Sequence, residues 1–118
     1  MATHMDGARL MNAVVASGVS AAEQCATFDS AWIDFSKGLG APIGAALAGS
    51  KAFISEAWRV KQRLGGAMRQ AGIVAAAALY SLDHNVERLA EDHANAKRLA
   101  EGIVGLPGVA IDVAGVET

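Results

Sequence analysis

The sequence has one cysteine, few aromatics, no surplus of positive charge and no long uninterrupted hydrophobic run. Each shortage excludes something. With Cys25 alone there can be no internal disulfide, and a reducing cytoplasmic location is expected. A net charge of −2 offers no basic excess for neutralising phosphates, which argues against nucleic acid as a partner. Each apolar run is interrupted by a charge or falls short of the roughly 20 residues of a membrane span, so no span is expected. The opening "MATHMDGARL" places Asp6 and Arg9 where a secretory leader needs apolar residues, so no leader is expected. Aromatics are 5% of a chain that is 53% hydrophobic, so the apolar share is mainly alanine and small aliphatics. Such a composition suits closely packed helices over a buried sheet and excludes a disordered chain. A length of 118 residues allows one small domain with a modest core.

Periodicity predicts an α/β order. Leu10, Met11, Val14 and Val15 recur at helical spacing before Gly18, a natural stop. Ser20 and Glu23 have the spacing of a capping box for a short second helix. Ala31, Ile33 and Phe35 alternate with Trp32 and Asp34, as in a strand, and "PIGAALAGS" reads as another. Ser50 can cap a helix over 51–63 with Phe53, Ile54, Ala57, Trp58 and Leu64 inward. After Gly65-Gly66, a helix is predicted from about Met68 through "IVAAAALYSL". A last one is capped by Asn85, with Val86, Leu89, Ala96, Leu99 and Ile103 on its inner stripe. "VAIDVAGVET" reads as the onset of a further strand. Two interior strands do not make a stable sheet, so the chain is expected to be a piece of a larger α/β protein.

Several stretches could carry chemistry. "GLGAPIG" lacks the G-x-G-x-x-G spacing of a dinucleotide loop, because position 43 is Ile and the turn leads into a strand. Lys37 sits between an apolar run and this glycine turn. It is either a solvated loop lysine or a partly buried amine. Burial favours the neutral amine that forms imines with aldehydes, and the glycines leave room for a flat ligand. Asp6 in "HMDGARL" either caps the first helix or is a buried anion at a strand end. Arg9 is correspondingly a first-turn surface residue or points into the same cleft. Arg59, Lys61, Arg63 and Arg69 surround Gly65-Gly66, which fits an anion site or a solvated basic face. His84 and His93 are nine residues apart, a spacing that fits no helical metal pair, and are expected to be ordinary surface residues.

Taken in order, "HMDGARL", "DFSKGLGAPIG" and "LGGAMRQAGI" resemble the L-threonine aldolases, within the β-eliminating-lyase branch of the aspartate-aminotransferase-like (fold-type-I) enzymes. The resemblance covers essentially the whole chain and leans towards the low-specificity and phenylserine-type members. It implies a helix-rich α/β fragment of a large domain that binds pyridoxal 5'-phosphate (PLP). Residues 1–106 would belong to that domain and 107–118 to the start of a small one. It further implies that Lys37 binds PLP covalently and Asp6 pairs with the pyridinium nitrogen. Arg9 would lie near the phenolic oxygen and the substrate carboxylate, and Arg69 would contact phosphate across a dimer interface. Ala67 departs from the third glycine of many relatives. The implied activity is cleavage of L-threonine or related β-hydroxy-α-amino acids to glycine and an aldehyde, by a homodimer or homotetramer. The fragment is expected to be inactive alone. The alternatives are another fold-type-I enzyme, such as an aminotransferase or β-eliminating lyase, or a non-catalytic remnant.

Overall fold

The structure, a computed structural model, describes residues 1–118 and contains three strands rather than two. β1 (His4–Gly7) runs parallel to β2 (Ser30–Asp34), and β3 (Ala45–Gly49) lies antiparallel on the other side of β2. The register sets Asp6 opposite Trp32 and Gly7 opposite Ile33. "HMDG" shows neither alternation nor β-branched residues. It is a strand because β2 offers its backbone a ladder, a non-local cause that local pattern does not carry.

The chain crosses from β1 to β2 through α1 (Leu10–Ser17) and α2 (Ala21–Cys25). Gly18 ends α1 in the left-handed region, with φ 69°. The predicted capping box is formed: Ser20 N donates to the Glu23 carboxylate at 3.1 Å and Glu23 N donates to Ser20 Oγ at 3.3 Å. β3 leads into α3 (Lys51–Arg63), capped as expected by Ser50, whose Oγ accepts from Phe53 N at 3.2 Å. α4 (Gly72–His84) starts later than its apolar pattern predicts, because Gly65, with φ 78°, carries the chain into turns first. α5 (Leu89–Ile103) does not begin on Asn85. The Asn85 side chain is drawn elsewhere: its Nδ2 donates to Leu39 O at 2.8 Å, so it closes α4 and holds a loop.

The expected C-terminal strand does not form. No strand lies beside residues 109–118, and the Asp112 side chain instead accepts from Ala114 N at 3.2 Å, shaping a 3-10 turn over Val113–Gly115. The buried apolar cluster is Phe35, Leu39, Ala41 and Leu89, with Met11, Val15, Ile33, Ala78 and Val86 against it. It therefore lies under the loop after β2. Trp58, Leu64 and Leu99, expected on inner faces, are mostly exposed. Ile73, Leu79 and Leu82 on α4 are also exposed, as expected of a helix whose sheet is incomplete. No helix is long and apolar enough to cross a membrane.

Gly7 is buried in the β1–β2 ladder, and a Cβ there would run into the Trp32 carbonyl oxygen. Gly7→Ala is expected to force the strands apart and to cost about 1–3 kcal/mol, the range for overpacking. Urea unfolding of the variant against the parent checks this.

Candidate functional site

Because β1 and β2 are parallel, their C-terminal ends emerge at one edge of the sheet, where ligands of α/β proteins gather. Asp6 lies near the end of β1, with Arg9 just beyond it. Asp34 ends β2 and Lys37 follows three residues later. Two short motifs, one with Asp6 and Arg9 and the other with Lys37, thus bring a carboxylate, a guanidinium and an amine to one edge.

Asp6 fits neither of its two sequence readings fully. It sits at a strand end, but it is exposed rather than buried. It does not cap α1 either, since Arg9 occupies that position without a side-chain cap. Its Oδ1 accepts from Ala8 N at 3.1 Å, which turns the chain from strand to helix. Partners at the same register point to the same face, so Asp6 and Trp32 share one.

Lys37 lies 3.7 Å through its Nζ from Asp34 Oδ2 and 5.8 Å from the centre of the Trp32 ring. Its side chain is 44% exposed, so the partly buried amine of one sequence reading is corrected: the loop rides over the sheet edge and the space above it is open. The backbone beneath is firmly tied. Gly40 N donates to Lys37 O at 2.9 Å, Ala41 N to Phe35 O at 2.7 Å and Phe35 N to Gly44 O at 2.9 Å. Gly40 has φ 73°, which this turn needs and L-residues avoid.

Asp34 is a residue the sequence reading missed. Its Oδ1 accepts from both Ser36 Oγ and Ser36 N at 2.6 Å. Those bonds, with a smaller contribution from the Lys37 charge, hold its carboxyl below the ordinary range. It is therefore ionised at neutral pH and fixes the first turn of the Lys37 loop. The signal was present in Asp-x-Ser, an Asx-turn spacing.

Arg9 and Lys37 line one cavity of about 460 Å³, with Asn12, Gly38 and Asp92 also in its walls. Arg69 is not brought there; it lies exposed in the turns between α3 and α4. His84 is exposed and packs against Tyr80 with the rings tilted by 44° and their centres 4.3 Å apart. His93, expected at the surface, is partly buried and bonded on both ring nitrogens, to Asn12 O at 3.0 Å and to Thr118 N at 3.1 Å. Asn12 and His93 were missed together, because their pairing spans 81 residues.

The beta-eliminating lyase family matches residues 1–118. The chain is 48% identical over 115 residues to low-specificity L-threonine aldolase 1 of Arabidopsis thaliana, covering 98% of this chain and 32% of that protein. It is 50% identical over 101 residues to the low specificity L-threonine aldolase of Escherichia coli K12, covering 86% and 30%. A solved structure from Listeria monocytogenes EGD-E, assigned as an L-allo-threonine aldolase, superposes with a TM-score of 0.82 at 38% identity, over 89% of this chain and 29% of that one. The fold expected from the sequence, a helix-rich α/β piece of a fold-type-I enzyme, is the fold of this neighbour. The chain spans about a third of the length of the curated relatives it matches.

Proposed function

We propose a function from one premise: the chain belongs to the beta-eliminating lyase family. In this reading it is the lysine-bearing part of a PLP-dependent aldolase that cleaves L-threonine or related β-hydroxy-α-amino acids to glycine and an aldehyde. The observation that carries it is that Lys37 and Arg9 line one open cavity at the shared edge of β1 and β2, with Asp6 at the β1 end on the face of Trp32, over which Lys37 leans.

Those donors fit the chemistry of PLP. An amine suits its aldehyde carbon, a carboxylate suits a protonated ring nitrogen, and a guanidinium suits a phenolate or a substrate carboxylate. When bound, PLP supplies the electron sink for breaking a bond at Cα of an amino acid. Lys37 would hold the cofactor at its aldehyde carbon, and Asp6 would pair with its ring nitrogen. Arg9 orients an anionic oxygen within the cavity it shares with Lys37. Asp34, ionised and tied to Ser36, stands 3.7 Å from the Lys37 amine and would bias it towards the Trp32 face. Arg69, lying outside this cavity, serves phosphate in a second copy of the protein, so the working unit is a homodimer or a larger homo-oligomer.

The test is to supply the full-length protein with PLP and L-threonine and to identify the products. Glycine and acetaldehyde in equal amounts are expected. A keto acid formed at the expense of glycine would point to an aminotransferase or an eliminating lyase, and no product at all to a remnant. The 118-residue chain assayed beside it is expected to be inactive, because it spans only about a third of the length of the relatives it matches.

A further inference from the structure

We propose that Asn12 is a positioning residue for Lys37, acting through the space it fills behind Gly38; this rests on the reading of Lys37 as the residue that binds PLP. Asn12 lies one turn along α1 from Arg9, and at 3% exposure it is a buried amide. A buried amide is unfavourable unless paired. Its partners come from distant parts of the chain. Nδ2 donates to Thr118 Oγ1 at 3.2 Å, and the Asn12 carbonyl accepts from His93 Nε2 at 3.0 Å. The second bond fixes a tautomer. Thr118 N can only donate, so His93 Nδ1 accepts from it at 3.1 Å and Nε2 carries the hydrogen. Asn12 is thus held through both its side chain and its backbone, by α5 and by the segment after it.

What it is held against is Gly38. A Cβ on residue 38 would lie 2.6 Å from Asn12 Oδ1, 3.1 Å from its Nδ2 and 2.9 Å from Leu89 Cδ2. Gly38 is not among the glycines with positive φ, so it is required for room and not for conformation. Leu89 presents one methyl, whereas Asn12 presents both polar atoms of its amide, is 3% exposed and is tied through Nδ2 and through its backbone carbonyl, so it has little room to turn aside. The residue directly after Lys37 is therefore seated against a fixed wall, and that wall sets where the Lys37 backbone stands. The glycine in "SKG" makes room for Asn12, where the sequence invited the view that it makes room for a ligand.

The experiment uses the full-length protein and borohydride, which reduces bound PLP irreversibly onto the lysine amine. The rate of labelling at Lys37 is read by peptide mass spectrometry, with a melting curve for each variant. Gly38→Ala is expected to slow labelling by about tenfold to a hundredfold, the effect of a displacement approaching 1 Å. The double variant Asn12→Ala/Gly38→Ala is expected to recover most of that loss, since the added methyl then has the space that Asn12 vacates. A parent protein with no label at Lys37 overturns the reading of Lys37 and this proposal with it. A labelled parent with an unslowed Gly38→Ala, or a double variant no faster than the single one, overturns the positioning role alone.

Discussion

Lys37→Ala in the full-length protein is expected to remove the visible absorption of bound PLP and nearly all turnover, with the melting temperature close to that of the parent. The two outcomes separate because Lys37 contributes differently to each. For stability, its side chain is nearly half exposed, and a solvated ion pair with Asp34 at 3.7 Å adds little. The anchors of the loop are elsewhere. The Lys37 carbonyl, which accepts from Gly40 N, and the Asn85–Leu39 bond are both untouched by the substitution. The buried Phe35 and Leu39 also stay in place. For activity, the amine that would hold the cofactor is itself lost, and no other side chain in the cavity offers a primary amine in its place. Lys37→Arg sharpens the test. Arginine keeps a cation able to reach Asp34, but its guanidinium stays protonated and offers no free amine. It is expected to be as inactive as the alanine variant. An absorption band that survives either substitution would sink the assignment of Lys37.

The sequence made parts of this arrangement legible because their causes are local. The Ser20–Glu23 box, the Ser50 cap and the Gly18 stop each depend on residues within one turn of one another, and all three formed as read. The strand over "SAWID" follows from its own alternation. What escaped was non-local. β1 exists through pairing with β2, a separation of 26 residues that no window over "HMDG" contains. Asn85 carries the signature of a helix cap, yet its amide is claimed by Leu39, 46 residues away. His93 looked solvated because its two partners, Asn12 and Thr118, are brought to it by the fold. The stripes on α3 and α5 misled for a different reason. Periodicity marks a face that can be buried, and Trp58, Leu64 and Leu99 are apolar residues left mostly exposed in this chain. At the site, the motifs gave Lys37, Asp6 and Arg9 as residues, but only the parallel register explains why they come to one edge of the sheet.

Asp6→Asn is expected to lower kcat by about 10²–10³-fold, the scale for losing one preorganised electrostatic partner, with little change in melting temperature. The structural duty of Asp6 is narrow: Oδ1 accepts from Ala8 N at 3.1 Å and turns the chain out of β1. An asparagine side-chain oxygen can accept the same bond, and Asx residues are interchangeable in such turns. Since Asp6 is exposed, the substitution leaves no buried group unpaired. What asparagine cannot supply is the negative charge that, in the proposed reading, keeps the cofactor ring nitrogen protonated. Asp6→Ala removes both the charge and the turn bond, so it is expected to lose turnover to the same degree and also to melt earlier. Measuring kcat and melting temperature on the same preparations separates the two duties. If the asparagine variant keeps its turnover while the alanine variant loses stability, Asp6 is a turn residue and the charge beside the cofactor must come from elsewhere.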